Sequence, residues 1–126
     1  MGEITVKRDP ANGGTIFSKI IRKEIPADIV FENDHVLAFR DIKPQAPIHI
    51  LIIPKIEIAK VTDLSSKDHA KLLGELIDAA NAIAKKENIS ENGFRLVLNC
   101  GADAGQEVYH LHIHLLGGRK MKWPPG

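Results

Sequence analysis

The chain has 126 residues, a common size for one domain and too short for two ordinary ones. Its 44% hydrophobic and 26% charged residues exclude a disordered chain, and a formal net charge of +1 argues against a protein that grips nucleic acids. The lone cysteine, Cys100, cannot form an internal disulfide, and no apolar run approaches the roughly 20 residues that span a bilayer. We therefore expect a cytoplasmic protein, also nuclear if its source is eukaryotic, that binds no nucleic acid and no membrane.

The N-terminal part of the sequence changes character at about residue 15. Residues 1–14 mix charges with turn-forming residues and show no apolar period, which predicts a flexible tail followed by one domain over 15–126. Apolar residues at helical spacing then predict a short helix that ends before Pro26. Two β-prone runs, 29–31 and 36–39, are separated by polar residues and predict a hairpin.

The rest of the sequence predicts three more strands and one long helix. The β-branched run 48–53, in which only His49 is polar, is typical of a central strand. Ser65 and the apolar stripe after it predict the long helix. An alternating strand over 94–99 and a last strand over 108–116 follow. The expected fold is α+β, a mostly antiparallel sheet of about five strands with one long and one short helix on one face.

The last predicted strand carries three histidines at alternate positions. A strand's period of two places His110, His112 and His114 on one face, away from the apolar residues between them. Each imidazole needs partners for both nitrogens, so three on one face is a costly arrangement for packing alone. Two chemistries fit: the imidazoles can bind Zn²⁺, or one neutral imidazole can act as a nucleophile while its neighbours handle charge and protons.

The glycine-rich loop before this strand favours the nucleophile. Gly101 and Gly105 allow backbone N–H groups to converge, and Gln106 adds a side-chain donor, so an anion can lie beside the start of the strand. Such a loop assists attack on phosphorus and adds nothing special to a metal site.

The heptapeptide 110–116, His-Leu-His-Ile-His-Leu-Leu, resembles the motif of the histidine triad (HIT) nucleotide-binding proteins. Further similarity at 15–26, 39–49, 99–106 and 117–126 covers the predicted domain and identifies the HINT branch. The resemblance implies a homodimer whose two sheets join edge to edge into a continuous sheet. It also implies hydrolysis of purine nucleoside phosphoramidates, through a covalent nucleotidyl-histidine, with purine nucleotides such as AMP and GMP as ligands and with no metal or cofactor required.

The resemblance assigns roles to individual residues. His112 would be the nucleophile, His114 and His49 would flank the phosphate, His110 would support the triad and Asp41 would accept the ribose hydroxyls. The base would contact Ile16, Phe17, Ile20, Ile25, Phe39 and Ile42. The phosphate would contact Asn99, Gly105, Gln106, Glu107, His112 and His114.

Glu107 and Trp123 are the two site positions whose expected roles differ from simple contact with the nucleotide. Glu107 stands where many relatives have serine, and a carboxylate repels a phosphate, so only its backbone N–H is expected to contribute. Trp123 lies in a proline-rich tail that cannot extend a sheet, and the resemblance implies that it reaches the other subunit's site.

Two alternatives to a phosphoramidate hydrolase stay open. The first is a nonenzymatic nucleotide-binding or scaffold protein, which measured turnover on a phosphoramidate would distinguish. The second is a metal-dependent phosphohydrolase, which a chelator would inactivate. The apolar residues at 17, 20 and 25 would equally suit a hydrophobic core.

Overall fold

The computed structural model describes residues 14–126, so the predicted flexible tail lies, except for Gly14, outside the described residues. The elements in chain order are α1 (Ile16–Ile21), β1 (Ile29–Glu32), β2 (Val36–Arg40), β3 (Ile48–Pro54), α2 (Ser66–Lys86), β4 (Phe94–Val97) and β5 (Ile113–Gly117), with a single 3₁₀ turn (Val61–Asp63) before α2. The strands form one antiparallel sheet in the order β1-β2-β3-β5-β4. The predicted α+β fold, with five strands, one long helix and one short helix, is confirmed.

β3 lies at the centre of the sheet and is buried on both faces, as its apolar run predicts. Ile50 and Ile52 pack in the core beneath α2, whereas Leu51 and Ile53 pack in a second core with Phe17 of α1. The two helices therefore cover opposite faces of the sheet, and the prediction that both lie on one face is wrong. A strand that is apolar on both faces needs cover on both.

Both ends of α2 are set by residues typical of helix ends. The Ser65 hydroxyl accepts a hydrogen bond from the Asp68 N–H at 3.2 Å, which caps the first turn. Asn88, at φ 61°, ends the helix in a left-handed conformation. No helix in residues 14–126 is long and apolar enough to cross a membrane.

The last two strands are shorter than predicted. β5 begins at Ile113, so His110 lies in a bend and His112 lies in the irregular segment that leads into the sheet. The ladder between β3 and β5 stops near Pro54, which has no N–H to continue it, and the Pro54 carbonyl accepts from His110 Nε2 instead. β4 ends at Val97, which pairs with His114 of β5.

Candidate active site

A cleft of about 700 Å³ opens on the α1 face of the sheet. It is lined by Ile16, Phe17, Ile20, Ile25, Pro26, Ala27, Asp28, Phe39, Arg40, Asp41, Ile42, Leu51, Asn99, Gly105, Glu107, Val108, His112 and His114. Of the residues predicted to contact the nucleotide or flank its phosphate, Gln106 and His49 are absent from this lining. Apolar residues concentrate near α1, and the polar groups come from the loop and the histidine segment, a mixture typical of sites for small organic molecules.

His112 is held in one tautomer by the backbone. Its Nδ1 lies 2.8 Å from the carbonyl oxygen of His110, and because a carbonyl only accepts, Nδ1 carries the proton and Nε2 keeps its lone pair. The ring is 8% exposed and meets the edge of the Phe17 ring at 5.2 Å between centroids. Burial lowers the pKa of His112. At neutral pH the residue therefore presents a neutral imidazole with a free nitrogen, as nucleophilic attack requires.

His49 and His114 form a hydrogen-bonded chain. His49 Nδ1 accepts from the backbone N–H of Gln45 at 3.0 Å, so the neutral ring carries its proton on Nε2. That nitrogen lies 2.9 Å from His114 Nδ1 and 3.5 Å from the Asp41 carboxylate. His114 thus accepts at Nδ1 and carries its own proton on Nε2. Burial, followed by the neighbouring His112 and His49, lowers the pKa of His114 to about 4.

The hydrogen bonds of His49 and His114 determine whether these residues can bind a metal ion. Asp41, His49 and His114 each offer a ligand atom, and these atoms lie within 4.8 Å of one another. A cation would need the lone pair of His49 Nε2, but that nitrogen holds the proton because Nδ1 accepts from Gln45. If the proton moved to Nδ1, two N–H donors, those of His49 and Gln45, would face each other with no acceptor between them. The residues fit a hydrogen-bonded chain, and they do not fit a metal centre.

His110 is buried and contributes from behind the cleft. Its Nε2 donates to the Pro54 carbonyl at 2.8 Å, and its own carbonyl orients His112. The predicted support of the triad thus has a specific geometry, in which the backbone of His110 acts on the nucleophile candidate.

Gln106 differs from its predicted role as a phosphate donor. The side chain is 3% exposed, and Nε2 donates to the carbonyls of Ala59 at 2.9 Å and Val108 at 3.1 Å. Its Oε1 accepts from the Gly101 N–H at 2.9 Å. Both amide hydrogens are used, so Gln106 braces the loop from within and offers no donor to an anion.

Trp123 is 81% exposed and lies outside the lining of the cleft in this chain. The tail that carries it is attached by a hydrogen bond from Arg95 Nη2 to the Lys122 carbonyl at 3.0 Å. The role of Trp123 in a second subunit's site stays a prediction.

The fold and the histidine site together define a HIT domain. Residues 22–121 match the HIT domain family, and the chain belongs to it. Among solved structures, a HIT family hydrolase from Legionella pneumophila Philadelphia 1 is similar at a TM-score of 0.86 and 54% identity, covering 88% of this chain and 98% of that one.

Named relatives place the chain within the family. The purine nucleoside phosphoramidase of Escherichia coli (strain K12) is 59% identical over 85% of this chain and 89% of its own length. The adenylylsulfatase HINT1 of Arabidopsis thaliana is 52% identical over 98% and 84%. A 14 kDa zinc-binding protein of Zea mays is 54% identical over 89% and 88%. The prediction of a hydrolase of the HINT type is confirmed.

Proposed function

We propose that the chain hydrolyses purine nucleoside phosphoramidates, such as adenosine 5'-monophosphoramidate, to a nucleoside monophosphate and an amine. The observation that carries the proposal is the His112 tautomer, which leaves Nε2 of a neutral, buried imidazole free beside the cleft. The phosphoramidase name of the Escherichia coli relative supports the same substrate class.

The two halves of the cleft suit the two halves of a nucleotide. The apolar wall around Phe17 and Phe39 takes the purine of AMP or GMP, and the Asp41 carboxylate accepts the ribose hydroxyls. His114 Nε2–H and the backbone N–H of Glu107 donate to the phosphoryl oxygens. The nucleotide therefore lies with phosphorus next to His112.

Hydrolysis proceeds in two displacements. The His112 Nε2 lone pair attacks phosphorus, and the P–N bond to the amine breaks with its electron pair on the amine nitrogen. That nitrogen takes a proton from solvent at the open mouth of the cleft, because a neutral His114 would become an imidazolate by giving one up. Water then attacks phosphorus, its proton is released, and the electron pair of the P–N bond returns to His112.

The proposal requires no metal or cofactor, since the hydrogen-bonded chain through His49 supplies orientation without a cation. Zinc in the name of the Zea mays relative describes that protein. A cytoplasmic location, also nuclear in a eukaryote, belongs to the proposal and is supported by the single free cysteine.

We also propose a homodimer that joins the two sheets at β4. β4 is an edge strand, and Leu96 on it is 38% exposed although it pairs with the buried Leu115. A two-fold pairing of β4 strands would cover this edge in a closed assembly. A monomeric mass in solution at micromolar concentration would contradict it.

The test of the activity is to trap the intermediate. Wild-type protein mixed with adenosine 5'-monophosphoramidate and quenched within milliseconds should carry one adenylyl group per subunit on His112, located by peptide mass spectrometry. Steady-state assays should release AMP and amine in equal amounts. A protein that binds AMP but shows neither adduct nor product would instead be a nucleotide-binding or scaffold protein.

A further inference from the structure

Glu107 presents an unpaired carboxylate to the cleft. Its side chain is exposed, lines the cleft with His112 and His114, and makes no hydrogen bond or ion pair within residues 14–126. The backbone beneath it is fixed, because Gln106 beside it is buried and hydrogen-bonded at both ends of its amide. The carboxylate is thus free while its attachment point is held.

The other charges that line the cleft already have partners. Arg40 is the one fully cationic residue among the described lining residues, and it lies 2.9 Å from Glu87 and 3.6 Å from Asp28. Asp41 accepts from the Lys43 N–H at 2.8 Å and lies beside His49. Glu107 is therefore the negative charge in the cleft wall that nothing in residues 14–126 offsets.

We propose that Glu107 forms the leaving-group subsite. It selects leaving amines that carry an additional, protonated amino group over leaving groups that are negatively charged. This inference rests on the proposed function. In the proposed function, Asp41 and the apolar wall bind the nucleoside, and the histidines surround the phosphorus. The Glu107 carboxylate is the charged group that is left to contact the departing amine. An ammonium on the leaving amine pairs with the carboxylate, whereas a carboxylate or sulfate is repelled.

The expected size of the effect follows from the exposure of Glu107. A charge beside an exposed carboxylate changes a rate constant by about two- to fivefold at low salt. Attraction and repulsion act in opposite directions, so the ratio between a cationic and an anionic leaving group should be about fourfold to 25-fold. Added salt should reduce that ratio, because mobile ions screen an exposed pair.

The experiment compares adenosine 5'-phosphoramidates of three amines of similar length: propane-1,3-diamine, 3-aminopropanol and β-alanine. We expect kcat/KM of the wild type to fall in that order. Glu107→Gln should bring the ratio between the diamine and β-alanine substrates close to one, and Glu107→Lys should reverse it. Asp103→Asn is the matched control, because Asp103 lies exposed in the same loop outside the cleft lining and changes the net charge equally.

The outcomes separate this inference from the proposed function. A ratio that Glu107→Gln leaves unchanged, or that Asp103→Asn shifts as far, overturns the subsite while the phosphoramidase stands. Failure of the wild type to hydrolyse any of the three substrates overturns the phosphoramidase and the subsite with it. An adenylyl sulfate substrate adds a second arm, since Glu107→Lys should accelerate its hydrolysis relative to the diamine substrate.

Discussion

The position of the proton on each histidine determines what this site can do at the scale of single residues. Backbone groups fix those positions: the His110 carbonyl for His112 and the Gln45 N–H for His49. The motif in the sequence placed the histidines but gave no sign of these backbone partners, because every residue except proline carries the same N–H and C=O. The role of Gln106 was missed for the same reason, since its hydrogens go to the backbone carbonyls of Val108, two residues on, and of Ala59, which is distant in sequence.

Replacement of His112 by alanine should nearly abolish turnover while AMP binding survives. Among the described residues that line the cleft, this imidazole is the one group with a free nitrogen in position to attack, whereas the apolar wall and loop remain in the variant. Loss of a nucleophile lowers kcat by several powers of ten, roughly 10³-fold or more. Product release and AMP titration by calorimetry measure the two properties, with His35→Ala as a control at an exposed histidine whose Nδ1 lies 2.9 Å from the Glu75 carboxylate. Retention of more than about a tenth of the activity contradicts the prediction.

Chelation should leave the activity intact. The proton on His49 Nε2 opposes metal binding, and the proposed steps use imidazole and backbone donors. Protein dialysed against EDTA, with its metal content measured, should retain the kcat/KM of untreated protein, and added Zn²⁺ should not increase it. Loss of activity on chelation with recovery on added Zn²⁺ would instead establish a metal-dependent hydrolase.

At the scale of elements, apolar periodicity predicted the order and type of the helices and strands. It missed the start of β5 and the end of β4. A strand lasts only as long as its neighbour supplies a ladder, so Pro54 in β3 shortens β5. The opposite placement of α1 and α2 follows from the burial of both faces of β3. Local sequence reports a strand's propensity, whereas its length is a property of the pair.

Deletion of residues 120–126 should change the relative rates for different leaving amines more than it changes folding. The tail is joined to the body by the bond from Arg95 to the Lys122 carbonyl, and its Trp123 is exposed, so little of the core depends on it. In a dimer the tail can reach the partner's cleft and contact the departing group. Rates across several uncharged amines, together with thermal unfolding, measure both effects. Unchanged relative rates in the truncated protein contradict the prediction.

At the scale of the whole molecule, the site makes the fold sensitive to acid. His49, His112 and His114 all have pKa values below the ordinary 6.5, in each case mainly because burial disfavours the charged ring. The catalytic requirement for a neutral nucleophile and the stability of the sheet therefore depend on the same protonation state. Acid should reduce kcat/KM and the free energy of unfolding over overlapping ranges of pH.

The free energy of unfolding should fall as the pH is lowered from 7 to 5. Below pH 6.5 the histidines bind protons in the unfolded chain but remain neutral in the folded one. Each such proton gives the free energy of unfolding a slope of about 1.4 kcal/mol per pH unit. For His114 this slope persists down to the folded pKa of about 4. Below that pH both states are protonated, so the slope vanishes and the stability that the neutral ring contributed is fully lost. Urea unfolding at pH 7, 6 and 5, at one protein concentration, measures the slope. Glu32, whose pKa is lowered by hydrogen bonds from Lys23 and Lys55, acts mainly below that range.

A variant pair assigns the slope to the site. His114→Asn removes one buried titrating ring and should flatten the dependence between pH 6.5 and 5. His35→Ala, at an exposed histidine outside the cleft lining, is the control variant. The same slope in His114→Asn and in the wild type would show that the acid sensitivity arises elsewhere in the fold.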